Sequence, residues 1–128
     1  MSNVEIVQEL YRAFSQKDYE AFRKVCASDV EWIQNEGFPN GSTHHGTDAV
    51  IKGVFDVLHN DWDSWRFKIE DYLDGGSSVV ALGYYEGVHK VSKKSFHSAA
   101  AHVYDLLDGK VARFRQFTDT KVIWNAIT

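Results

Sequence analysis

Glu86 stands in the stretch Leu82-Gly83-Tyr84-Tyr85-Glu86-Gly87-Val88, flanked by apolar or small residues. In an extended strand Leu82, Tyr84, Glu86 and Val88 share one face, and Ala81, Gly83, Tyr85 and Gly87 share the other. A carboxylate in a low-dielectric wall has a raised pKa and can carry a proton near neutral pH. The plainer reading is a strand-end glutamate that pairs with a lysine or faces water. His102 lies inside an apolar stretch, Ala101-His102-Val103-Tyr104, on the face of Phe96, Ala100, Tyr104 and Leu106. It reads either as an acid or base, or as a hydrogen-bonded core histidine. Asp119 precedes Thr120-Lys121-Val122-Ile123 and is well placed as a helix N-cap, where it is stabilised as the anion. Tyr11 falls on the core-facing stripe of a first helix, with its hydroxyl either satisfied in the core or turned to a ligand.

Other chemistries find no support. His97 and His102 are five residues apart and point to opposite faces of a regular strand, so they do not share a metal. His44 and His45 are adjacent in a loop. There is no His-x-x-x-His or His-Glu-x-x-His pattern, no Gly-x-Ser-x-Gly elbow, no phosphate loop and no dinucleotide fingerprint. No metal and no cofactor are expected. The single cysteine, Cys26, excludes an internal disulfide and reads as an inert core thiol. A formal net charge of -4 argues against a nucleic-acid partner, which needs a positive face. No apolar run approaches the roughly 20 residues of a bilayer span, and the start MSNVEIVQEL lacks a signal-peptide core. A cytoplasmic protein with no membrane partner is expected. Aromatic residues make up 14% of the 128 residues, enough both to fill a core and to line an apolar ligand pocket.

The elements that must hold these residues follow from periodicity. Ser2 or Asn3 caps a helix with Val4, Val7, Leu10, Tyr11 and Phe14 on one side, and Asp18 caps a short second helix with Tyr19, Phe22, Val25 and Cys26. Asp29 to Gln34 alternates as a strand, and Asn35 to Gly46 reads as loop. Gly46 or Thr47 opens a third helix with Val50, Ile51, Val54, Phe55 and Leu58 on one face. The period then changes to two. Strands are expected around Trp65-Phe67-Ile69, over Val79 to His89, Phe96 to Leu107 and Val111 to Thr118, joined at Asp74 to Ser77, His89 to Lys94 and Asp108-Gly109. A last short helix follows Asp119. Helices first and an antiparallel meander after them make a single α+β domain over residues 1–128, with helices packed on one face of a sheet. Long strands twist, and a curled sheet closed by helices makes a cone.

Leu10-Tyr11-Arg12-Ala13-Phe14, Asp29-Val30-Glu31-Trp32, Gly46-Thr47-Asp48-Ala49-Val50, Asp108-Gly109-Lys110-Val111 and Arg113 to Thr120 come in the order and spacing of a known group. Together they resemble the nuclear transport factor 2-like superfamily, in its SnoaL-like branch. The resemblance implies a cone-shaped barrel with a curved antiparallel or mixed sheet, one pocket, and a homodimer formed through the outer sheet face. The superfamily includes ketosteroid isomerase, polyketide cyclases, limonene epoxide hydrolase, dehydratases and non-catalytic binding modules, so the fold does not settle the function. Tyr84-x-Glu86 takes what looks like the place of an Arg-x-Asp pair in the epoxide hydrolase. Phe114-Arg115-Gln116 resembles its Trp-Arg-Asp, with the acid replaced by an amide that cannot transfer a proton. Trp32-x-Gln34 stands where it has a Tyr-x-Asn pair. In SnoaL-like cyclases an aspartate placed like Asp119 looks like the base, and in ketosteroid isomerase a first-helix tyrosine donates to an oxyanion.

The leading expectation is cofactor-free acid–base chemistry on a small apolar molecule: isomerisation, cyclisation, dehydration or hydration. Glu86 would be the base, with Asp119 or His102 second. Tyr84, Gln34 and Gln116 would orient the substrate or a water, and Tyr11, Trp32, Phe55, Trp65 and Phe114 would complete the pocket. The alternative is a pocket that binds a ligand without transforming it, or a protein-interaction module.

Overall fold

The computed structural model describes residues Met1–Thr128. Helix α1 (Asn3–Ser15) starts in a reciprocal cap: the Ser2 hydroxyl accepts from the Glu5 N–H, and the Glu5 carboxylate accepts from the Ser2 N–H. It buries Ile6, Val7, Leu10 and Ala13. Helix α2 (Tyr19–Val25) is capped by Asp18. The chain then enters β1 (Cys26–Ile33), so Cys26 opens a strand rather than closing a helix. A short strand β2 (Thr43–His45) sits in the stretch read as loop and pairs antiparallel with β1, Trp32 opposite His44. Three residues carry too little periodicity to announce such a strand; only its partner reveals it.

The third helical segment is continuous but not uniform. It comprises α3 (Thr47–Val50), a π-helical turn (Ile51–Phe55) and α4 (Asp56–Asp61). Together they bury Val50, Ile51, Val54, Phe55 and Leu58, the apolar face expected from the sequence. Strands β3 (Trp62–Asp74), β4 (Ser78–His89), β5 (Ser95–Leu107) and β6 (Lys110–Thr118) follow, and α5 (Thr120–Ile127) closes the chain. The sheet order is β2-β1-β6-β5-β4-β3. All neighbours are antiparallel except β1 and β6, which run parallel. No helix is long and apolar enough to cross a membrane.

Curvature has a local cause. β3 carries an extra residue between Ile69 and Asp71, so Phe67 and Tyr72 both reach the inner face despite their odd and even numbers. Opposite this bulge sits Gly83, where an added Cβ would lie 1.9 Å from the Lys68 carbonyl oxygen. Only a residue without a side chain lets the two backbones come this close. Gly83→Ala is expected to lower the unfolding free energy by about 1–3 kcal/mol, the usual range for forced overpacking, read as a drop in the urea midpoint. An unchanged midpoint would mean that β3 yields freely at the bulge.

The concave face holds the core. Phe22, Trp32, Phe55, Tyr104 and Phe114 meet ring to ring at centroid distances of 4.0 to 6.3 Å, with α1, α2 and the third helical segment covering them. At the far end, α5 buries Ile123 and Ala126, and the Trp124 indole N–H donates to the Gly37 carbonyl at 2.7 Å.

Candidate functional site

Between α1, the third helical segment and the concave sheet lies a cavity of about 400 Å³. Its wall is mostly apolar: Leu10 and Phe14 from α1, Val54, Phe55 and Leu58 from the third segment, and Trp65 and Phe67 from β3. Tyr104 and Phe114 close it from β5 and β6, and His59 lies on its border, stacked on Phe14 at 5.5 Å.

One polar chain crosses this apolar wall. The Asn35 backbone N–H donates to Gln116 Oε1 at 3.0 Å, and Gln116 Nε2 donates to the Tyr85 hydroxyl at 2.8 Å. The Tyr85 hydroxyl meets His102 Nε2 at 2.5 Å, and His102 Nδ1 meets the Tyr11 hydroxyl at 2.7 Å. The four side chains of this chain, Gln116, Tyr85, His102 and Tyr11, all line the cavity. His102 is fully desolvated, which pushes its pKa down to about 3, so the ring is neutral across the physiological range. Burial likewise raises the hydroxyl pKa values of Tyr11, Tyr85 and Tyr104, which therefore keep their protons. Two further donors, the Trp32 indole N–H and the Tyr104 hydroxyl, are buried in the cavity wall with no hydrogen-bond partner; the Tyr104 oxygen lies near that of Tyr11 but outside bonding geometry. Cys26 is buried, its thiol pushed up to about 12, and it takes no part.

The structure brings Tyr11, Trp32, Gln34, Phe55, Trp65, His102, Phe114 and Gln116 to this cavity. It leaves out the other three candidates. The β4–β5 hairpin places Glu86 opposite His97 and Arg66, on the convex face. There Glu86 is half-exposed and pairs with Lys68 at 3.9 Å, so it cannot act as a base inside the cavity. Tyr84 shares that face, its ring stacked on His97 at 4.2 Å, and is not a pocket wall. Asp119 is exposed and caps α5, accepting from the N–H groups of Lys121 and Val122 at 3.0 and 3.3 Å. Within the polar chain, the residue that the sequence reading missed is Tyr85, the concave neighbour of both Tyr84 and Glu86. Its signal was present: pairing His89 with Lys94 across the hairpin tip and counting back sets Tyr85 opposite Ser98 and Ala81 opposite His102.

The SnoaL-like domain family matches residues 7–114 of this chain. The chain belongs to the SnoaL-like family. A nuclear transport factor 2-like protein of Burkholderia thailandensis shares 33% identity, with 100% of this chain and 98% of that one covered and a TM-score of 0.94. A nuclear transport factor 2-like protein of Burkholderia pseudomallei, of unknown function, shares 27% over 100% and 99% of the two chains, with a TM-score of 0.90. TerC, co-crystallised with polyporic acid, shares the fold at 24% identity over 98% and 97% of the two chains, with a TM-score of 0.87. No curated protein matches the chain. The cone, the mixed sheet and the N-terminal helices expected from the sequence are those observed.

Proposed function

We propose that this SnoaL-like protein binds a small, neutral, largely apolar molecule in the cavity and meets an acceptor oxygen of that molecule with the Tyr11 hydroxyl. The observation that carries the reading is an imbalance of polar groups. The Tyr11 hydroxyl ends the chain through His102, and the Tyr104 O–H and Trp32 N–H are unpartnered behind the same wall, closed off from its surface. A cavity wall that ends in the Tyr11 hydroxyl favours a ligand that brings an acceptor, because an unmatched buried donor is costly. A volume of about 400 Å³ falls in the range of small-ligand pockets.

The acid–base chemistry expected from the sequence loses its bases. Glu86 and Asp119 stand outside the cavity, and His102 is neutral with both ring nitrogens engaged. What the site retains is polarisation of a bound carbonyl by a fixed hydroxyl.

The test is a fluorescence titration, since Trp32 and Trp65 both line the cavity. Fluorenone and fluorene are flat, of similar size, and differ in one carbonyl. Saturable quenching by fluorenone is expected at lower concentration than by fluorene. Tyr11→Phe is expected to weaken fluorenone about threefold to tenfold, the worth of one neutral hydrogen bond, and to leave fluorene unchanged. No response to either compound, or an equal loss for both, removes the proposal.

The convex face supports a second copy of the chain as partner. Ala99, Ala101, Val103 and Phe117 make an apolar strip there, Phe117 being 49% exposed, and the Arg115 Nε–H is buried without a partner. Sedimentation equilibrium at micromolar concentration is expected to return twice the chain mass; a monomer mass removes this part.

A further inference from the structure

We infer that Gln116 is a positioning residue that sets the direction of the hydrogen-bond chain, holding His102 as the Nδ1–H tautomer so that Tyr11 meets the ligand as a donor. The argument starts at a group with no choice. The Asn35 backbone N–H can only donate, so the Gln116 atom 3.0 Å from it is the carbonyl oxygen and the other is the amide nitrogen. That nitrogen, which can only donate, lies 2.8 Å from the Tyr85 hydroxyl. The Tyr85 oxygen therefore accepts from Gln116 and has one proton left to give. Its remaining partner is His102 Nε2 at 2.5 Å. If Nε2 carried a proton, Tyr85 would accept twice and its own proton would be buried with no acceptor. With Nε2 bare, the Tyr85 proton has its acceptor.

A neutral imidazole with a bare Nε2 carries its proton on Nδ1. Burial keeps His102 neutral, so no second ring proton arises at physiological pH. Nδ1–H then donates to the Tyr11 oxygen at 2.7 Å, and the Tyr11 proton is the one left over. The direction runs from a backbone amide in the loop after β1, through β6, β4 and β5, to α1. Gln116 is the only side chain of the four that cannot reverse, because the backbone N–H fixes its orientation. Tyr85, His102 and Tyr11 each have two ways to share their protons. Exchanging the amide for an apolar side chain releases all three.

This inference deepens the binding proposal only in its last step, the donor role of Tyr11. The tautomer is a property of the unliganded protein and is measured there. In uniformly 15N-labelled protein, long-range 1H–15N correlation of the imidazole rings distinguishes a bare from a protonated nitrogen. For His102, assigned in the wild-type protein through correlations from its ring to its own backbone, Nδ1 protonated and Nε2 bare is the expected result. The reverse overturns the inference whether or not any variant folds. In Gln116→Met both tautomers are expected, because Tyr85 can then accept from Nε2–H. A pure Nδ1–H signal in that variant would reduce Gln116 to packing. Fluorenone affinity is expected to fall in proportion to the fraction of Nδ1–H tautomer, twofold at equal populations. If the tautomers mix and the fluorenone affinity does not move, the chain direction stands and the donor role of Tyr11 fails.

Discussion

Acidification is expected to weaken the folded protein by about 1.4 kcal/mol per pH unit through His102 alone, between about pH 6 and pH 3.5. Unfolded His102 takes up a proton with its ordinary pKa of 6.5, whereas burial holds the native ring neutral down to about 3. Below pH 6.5 the unfolded state therefore binds the extra proton, and stability falls as pH falls. Above that value the contribution is fully present. By pH 4 the accumulated loss is about 3 kcal/mol, a large share of the roughly 5–15 kcal/mol that holds a domain together. The carboxyls of Glu9, held down by Arg12, and Asp48, held down by Arg23, also lose their partners on protonation. The difference between wild type and His102→Gln cancels those shared contributions. Urea unfolding of both proteins from pH 7 to pH 4 is expected to give stability curves whose separation changes by about 3 kcal/mol. Parallel curves would show that the native His102 ring takes up its proton as readily as the unfolded one, and the desolvation that keeps it neutral in acid would go with them.

Much of this architecture was legible in the sequence because its causes are local. Ser2, Asp18 and Asp119 cap α1, α2 and α5 through side-chain bonds that reach two or three residues. The alternation around Trp65 and Phe67 and the Asp108-Gly109 turn announced β3 and the β5–β6 hairpin. What was lost was long-range or hidden in parity. The apolar sequence neighbours of Glu86 suggest a carboxylate in an apolar wall, yet adjacent strand residues lie on opposite faces, so Tyr85 and Gly87 say nothing about its environment. The face is decided by what Glu86 pairs with, and its partners Arg66 and His97 are polar. Alternation along β5 sets His102 on the buried face beside Tyr104 and Ala100, and its register carries Tyr85 with it. The bulge at Glu70 and the contact of Gln116 with Tyr85, 31 residues apart, leave no mark in local pattern.

Parity also gives the sharpest test of where the core lies. Phe114 and Phe117 are the same residue type on the same strand, three positions apart, and therefore on opposite faces of β6. Phe114 is 2% exposed, pairs in register with both Trp32 and Tyr104, and stacks on the Trp32 indole at 4.0 Å and 21°. It also meets His102 edge-on at 4.9 Å, so its ring joins the aromatic core to the wall of the cavity. Phe114→Ala removes the ring from a site whose neighbours belong to the two strands flanking β6 and cannot collapse together into the space. The expected loss is about 3–5 kcal/mol in urea unfolding, with the spared indole face of Trp32 reporting the change in its emission. Phe117→Ala, on the convex face at 49% exposure, is expected to change stability of the isolated chain by no more than about 0.5 kcal/mol. Where that face is covered by a second copy, the same substitution acts on association instead, and its cost varies with protein concentration as Phe114→Ala's does not. A loss at Phe117 equal to that at Phe114, independent of concentration, would mean that β6 turns the other way and that the cavity described here is not the interior of the cone.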